Sequence, residues 1–214
     1  MQAMAEDFLI AAESAFELLG RVEVVQQWDQ PSALADMTVG AVAAHLGSQV
    51  LTVHAAVTAG HGASDEVPVP LLEHYSRVPW VRSGLEDESN ERIRLGAARS
   101  AATGHDALTA SVQQAIPDLR RAFQAAVLPP RIRMTGWDWS LSFDDFLVTR
   151  VMEIVVHSDD LAVSVGIEPP TLPEAVLGPV LALLVGVSLQ RHGQAAVVRA
   201  LSRRERAPDT ISAF

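Results

Sequence analysis

The chain of 214 residues is 49% hydrophobic and 20% charged, the composition of a globular protein with a sizeable core rather than a disordered one. Its net charge of −10 argues against nucleic acid and anionic membrane surfaces as partners, and no basic run is dense enough to track phosphates. The absence of cysteine removes disulfides, thiolate metal sites and a cysteine nucleophile.

The first seven residues are acidic rather than basic, so no signal peptide is expected there. The longest apolar segment, 175–189, is interrupted by Gly178, Pro179 and Gly186 and reads as too short to span a membrane. The expected location is cytoplasmic. All sixteen basic residues are arginine, a skew read as codon usage in a GC-rich genome and not as function.

A first helix is predicted over 6–27, with Phe8, Leu9, Ala12, Phe16 and Leu19 near helical spacing; Gly20 weakens it without ending it. Trp28 to Ser32 form a turn. Thr38 is the N-cap of a second helix running to about Ala59, where Gly60-His61-Gly62 stops it. Its apolar stripe is Val39, Val42, Ala43, Leu46, Val50, Val53 and Val57. His45 falls on the flank of that stripe with Gln49 and Thr52, and His54 points elsewhere.

Residues 60–86 make a long proline-bearing connection, with a short helix over 71–78 and Trp80 near its end; connections of this length often cover functional sites. Helices follow over 87–103 and 105–127, with Pro117 as a kink site and Pro129-Pro130 as the stop. Residues 131–139 read as irregular or briefly extended. Ser142 and Asp145 form a capping-box-like start for a helix reaching about Gly166. After a rigid linker, 168–173, come helices over 174–192 and 194–204 and a tail from Ala207. The sum is an all-α protein with four principal helices, divided as a bundle over 1–167 and a helical extension over 168–214 packed on it.

The chemistry concentrates in Arg150-Val-Met-Glu153-Ile-Val-Val-His157-Ser-Asp-Asp160. Glu153 and His157 lie four residues apart, so a helix stacks them on one face. The surrounding residues are apolar, and a glutamate set among them is costly unless paired or bound to a cation. His45 is the best candidate for a third ligand. Two readings stay open on spacing alone. One is a solvated helix face whose i,i+3 and i,i+4 pairs are each worth a few tenths of a kcal/mol. The other is a divalent-metal site of His45, Glu153 and His157, a donor set suited to Zn²⁺, Ni²⁺ or Fe²⁺ with one position open. Asp160 could take the second imidazole N–H of His157 and fix its tautomer. The other five histidines have no partner at ligand spacing and read as surface or packing residues. Trp80 and Trp139 are the better guesses for a pocket lining. No phosphate-cradling glycine loop, GxSxG or HExxH motif is present.

Three segments in order, Met37 to Leu46, Arg150 to Ala162 and Val198 to Glu205, together resemble the mycothiol-dependent maleylpyruvate isomerase branch of the DinB-like superfamily, found mainly in actinobacteria. The resemblance covers nearly the whole chain. It implies a DinB-like four-helix bundle with a short helical C-terminal extension. It further implies that His45, Glu153 and His157 hold a divalent metal, usually zinc, and that mycothiol or a similar low-molecular-weight thiol is the cofactor. The family's maleylpyruvate isomerases carry a larger C-terminal α/β region, to which no residue of this chain is matched.

The expected function is therefore metal-dependent transfer or isomerisation by a thiol acting on a small electrophile, with no protein cysteine competing. Arg150 is expected to orient an acidic substrate. Alternatives are a metal-dependent hydrolase with Asp160 as base, and a non-enzymatic metal-binding stress or detoxification protein. The expected partners are the electrophile and the thiol, with no nucleic acid and no membrane; a homodimer is compatible with the sequence.

Overall fold

The computed structural model describes residues 2–81, 87–126 and 128–214. Its helices are α1 (Gln2–Leu19), α2 (Val22–Gln26), α3 (Val39–Thr58), α4 (Leu71–Arg77), α5 (Glu88–Ala101), α6 (His105–Ala125), α7 (Phe143–Val165) and α8 (Glu174–Ser202). The strands β1 (Arg131–Ile132) and β2 (Leu141–Ser142) pair antiparallel just before α7. The molecule is an all-α bundle of the DinB-like kind: α3 packs on α6 and α7, and α1 packs on the same two helices from the other side of the core.

The core between these four helices is built from small residues on α1, namely Ala5, Ala11, Ala12 and Ala15, against larger ones such as Phe8, Leu46, Leu119, Phe146 and Leu147. Small side chains let the axes approach closely. Gly47 shows this between α3 and α6, because a Cβ there would sit 2.8 Å from Leu108 Cδ1. The expected stripe of α3 is buried from Val39 to Val53, and Gly40, Ala41 and Ala44 are buried as well, so α3 is covered on nearly every side.

Caps set the ends of the two helices that matter most. Ala41 N–H donates to Thr38 Oγ1 at 3.1 Å at the start of α3, and Asp145 N–H donates to Ser142 Oγ at 3.0 Å at the start of α7. Gly166, at φ 74°, ends α7 in the left-handed conformation that glycine adopts without penalty.

One expectation about the helices needs correction. The predicted helix over 6–27 breaks after Leu19, whose carbonyl accepts a hydrogen bond from His105 Nε2–H at 2.9 Å, and the chain re-forms a separate short α2. Gly20 therefore marks an end, because a tertiary donor satisfies the terminal carbonyl. α6 continues through Pro117; Val127 lies outside the described residues. The two helices expected after the linker are present as the two halves of α8, which meet at Gly193, where φ 79° and ψ 159° interrupt the helix. Among the described residues α8 is the one helix long and apolar enough to cross a membrane, longer than the segment read from sequence. One face of it nevertheless packs on α7, α1 and α4.

The described part of the long connection, 60–81, is stitched to the segment before α7. Ala63 bridges Ile132, Pro68 bridges Ser140, and Ser140 Oγ donates to Glu66 O at 2.9 Å. Gly62 permits the first contact: at φ 78° it lies so near Arg133 that a Cβ would be 2.8 Å from that residue's carbonyl oxygen. The stitched segments carry α4 on one side and Trp137 and Trp139 on the other.

Candidate metal centre

Glu153 and His157 project from the middle of α7, and His45 meets them from α3. His157 Nε2 lies 3.0 Å from Glu153 Oε2, and His45 Nε2 lies 3.9 Å from the same oxygen. One donor atom from each residue falls within 4.8 Å of the other two. Three donors about 2.1 Å from one cation at tetrahedral angles are roughly 3.4 Å apart, so this cluster needs only small side-chain rotations to admit one. The two imidazole rings meet edge to face, with centroids 4.5 Å apart.

Burial decides against the solvated-face reading. The side chains of His45, Glu153 and His157 are 21%, 13% and 17% exposed, while Thr149 and Ile154 between them are buried. A carboxylate so enclosed demands compensation. Burial pushes Glu153 upward, but the hydrogen bond from His157 and the nearby His45 ring, with the charges of His157 and Arg150, outweigh it and hold the carboxyl well below its usual range. Burial works against the His157 imidazolium too; its hydrogen bonds to Asp160 and Glu153 prevail and raise it to about 9. His157 is thus a compact cation held between two carboxylates, Glu153 and Asp160.

The residues around the triad orient it. Asp160 Oδ2 lies 2.9 Å from His157 Nδ1, leaving Nε2 for the shared point. On the His45 side the buried Gln49 donates from Nε2 to His45 O at 3.0 Å and lies 3.4 Å from His45 Nε2, the nitrogen that faces Glu153. Arg150 Nη1 donates to Gln49 Oε1 at 2.6 Å and Nε to Thr149 Oγ1 at 3.0 Å, while its guanidinium lies over the Phe146 ring. Arg150 therefore ties α7 to α3 beside the cluster, and its charge reaches Glu153.

Sequence spacing gave no reason to look at α4. His74 and Tyr75 are each 1% exposed. Trp139 Nε1–H donates to His74 Nδ1 at 3.0 Å, which leaves the hydrogen of a neutral ring on Nε2. Burial, then the charge of Arg150, pushes the His74 ring down to about 3, so it is neutral at any working pH. Tyr75 Oη is buried with no hydrogen-bond partner among the described residues; burial and the Glu153 charge raise its pKa. Both residues thus feel Glu153 and Arg150 and hold donor hydrogens ready. Trp137 stacks on Trp139, centroids 5.4 Å apart and nearly parallel, and covers His74 at 4.4 Å. Trp80 packs on Tyr75 and Phe214. The density of tryptophan in 137–139 was the available signal; nothing in the spacing tied it to His74.

Three of the four remaining histidines serve elsewhere: His54 pairs with Asp118 at 3.2 Å, His105 holds Leu19, and His192 Nε2 binds Ser212 O at 2.9 Å.

The family model for the mycothiol maleylpyruvate isomerase N-terminal domain matches residues 10–162. The chain belongs to that family. The matched span begins within α1 and ends at Ala162 of α7, so it contains His45, Arg150, Glu153, His157 and Asp160 and leaves α8 outside. No curated protein and no solved structure matches the chain. Membership links this bundle to mycothiol-related isomerase chemistry and to a thiol cofactor.

Proposed function

We propose that this protein is a divalent-cation-dependent enzyme that uses mycothiol or a related low-molecular-weight thiol to isomerise, or transfer sulfur to, a small electrophile bearing a carboxylate. One observation carries the reading: in a family named for mycothiol chemistry, two imidazoles and a carboxylate from two helices converge on one point in an apolar bundle. The donor chemistry fits a cation, since neutral imidazole nitrogen and carboxylate oxygen suit zinc above all, with nickel and iron next. When bound, the cation would supply Lewis acidity, lowering the pKa of a coordinating thiol so that its proton is released to solvent.

The chain's own residues then do the following. His45, Glu153 and His157 hold the cation, and Asp160 fixes the His157 imidazole. Arg150 orients the substrate carboxylate. His74 Nε2–H and Tyr75 Oη–H offer hydrogen bonds to oxygen, where charge collects when sulfur adds to a carbon conjugated with a carbonyl. In an isomerisation the sulfur–carbon bond forms and the carbon–carbon double bond becomes single. The electron pair moves to the carbonyl oxygen, rotation follows, and expulsion of the thiolate restores the double bond in the other geometry. The thiol is regenerated and no other reactant is consumed.

A hydrolytic reading has less support. It needs a free general base, and Asp160, the nearby candidate, is engaged with His157 Nδ1. The deciding experiment is turnover of maleylpyruvate by the zinc-loaded protein with and without mycothiol. Turnover only with the thiol supports the proposal. Thiol-independent turnover would instead indicate activated water, and a metal-loaded protein inert in both would be a binding protein.

A further inference from the structure

We infer that the groove between α3 and α5 seats the non-reacting end of the thiol, and that it takes an uncharged tail bearing amide or hydroxyl groups. The inference rests on the thiol-activation reading above and assigns its cofactor site.

A cavity of about 250 Å³ opens between the two helices, and His45 of the triad lines it. The walls beside His45 are small: Ala44 and Ser48 from α3, Gly96 and Ala97 from α5. Ala44 and Ala97 are buried, whereas Arg92 and Ser100 at the mouth are exposed, so the groove runs from solvent to a candidate metal ligand. A Cβ at Gly96 would meet nothing within 4 Å, so the space over that residue is open. Small-molecule pockets typically hold roughly 300–1,000 Å³. This one suits the part of a ligand next to its sulfur, with the rest lying over the edge of α5.

The lining also sets the chemistry of the tail. The one charged side chain in it, Arg92, is paired with Glu88 at 2.9 Å, one helical turn away. Among the described residues no unpaired charge therefore lines the groove to recognise a charged tail, and desolvating such a tail there would go unrepaid. Ser100 offers a hydroxyl and Ser48 the lone pairs of one, since the Ser48 hydroxyl donates to His45 O at 2.6 Å. These are partners for amide and hydroxyl groups.

The test uses the full chain loaded with cobalt, whose sulfur-to-metal absorption reports thiol binding independently of turnover. The probes are 2-mercaptoethanol, which is too short to need the groove, pantetheine and mycothiol as uncharged tails, and glutathione as a charged one. Gly96→Phe, and separately Ser100→Trp at the exposed mouth, should weaken pantetheine and mycothiol at least about tenfold, as steric exclusion of a ligand group does. Binding of 2-mercaptoethanol should stay within about twofold, and glutathione should bind the wild type more weakly than pantetheine does. Unchanged pantetheine and mycothiol affinity in both variants would place the tail elsewhere while leaving thiol activation standing. Equal loss of the short and long thiols would mean a damaged centre and would overturn the groove assignment. Tighter binding of glutathione would overturn the chemical class. If no thiol, the shortest included, perturbs the wild-type spectrum, the thiol-activation reading itself fails and takes this inference with it.

Discussion

Two regions flank the candidate centre, and they were built by different means. The α3–α7 pair presents its polar residues through helical periodicity: Glu153, His157 and Asp160 share a face because they are four and three residues apart, and Gln49 follows His45 by four. The cover made of residues 60–81 and 128–142 presents His74, Tyr75, Trp137 and Trp139 by long-range stitching, with His74 and Trp139 sixty-five residues apart. The first region is rigid because each residue is held by a helix inside a packed core. The second depends on bridges such as Pro68 to Ser140 and on the left-handed Gly62. The proposed metal ligands sit in the former and the proposed substrate-binding donors in the latter.

The largest effect that separates the regions is metal content. His45→Ala and Glu153→Ala should each abolish stoichiometric metal by elemental analysis, while His74→Ala should leave it intact; full metal in both of the first two would end the assignment. Next comes Asp160→Asn, which keeps the hydrogen-bond geometry but not the charge. Its metal affinity should fall about 10–100-fold, as for other partners of metal-bound histidines, and an unchanged affinity by competition with a chelator would reduce Asp160 to a helix-face residue.

The pH dependence of the metal-free protein comes third. The His157 imidazolium is raised to about 9 from an ordinary value of 6.5, so its pairing with Glu153 and Asp160 stabilises the fold fully below pH 6.5 and is lost as pH rises through 9. Urea midpoints should accordingly fall between pH 7 and pH 10, and His157→Gln should flatten that decline. Metal uptake at neutral pH should release a proton, measurable in weakly buffered solution.

The smallest effects belong to the cover and have opposite signs. His74→Ala removes packing and leaves the Trp139 N–H without its acceptor, at a cost of about 2–4 kcal/mol. Tyr75→Phe removes a buried hydroxyl that has no partner, so stability should hold or rise by up to about 1 kcal/mol, even as turnover falls. A Tyr75→Phe protein both less stable and fully active would show that the hydroxyl serves the fold and not the substrate.

Much of this protein could be read from spacing. The bundle helices α3 and α7, the Thr38 and Ser142 caps, the stop at Gly166 and the stacking of Glu153 on His157 all follow from local backbone geometry, which fixes neighbours within a turn or two. The break after Leu19 could not be read, because His105, far along the chain, supplies the hydrogen bond that lets α1 end there.

By itself, then, the sequence determined the helices, their caps and which polar residues share a face, since these depend on interactions within a few residues. Only the tertiary structure decided that His45 turns towards Glu153 rather than away, that α5 leaves a groove beside it, and that His74 is buried under two tryptophans. Those outcomes depend on how closely whole helices approach, through positions such as Gly47 against Leu108, and packing of that kind is a property of the assembled core.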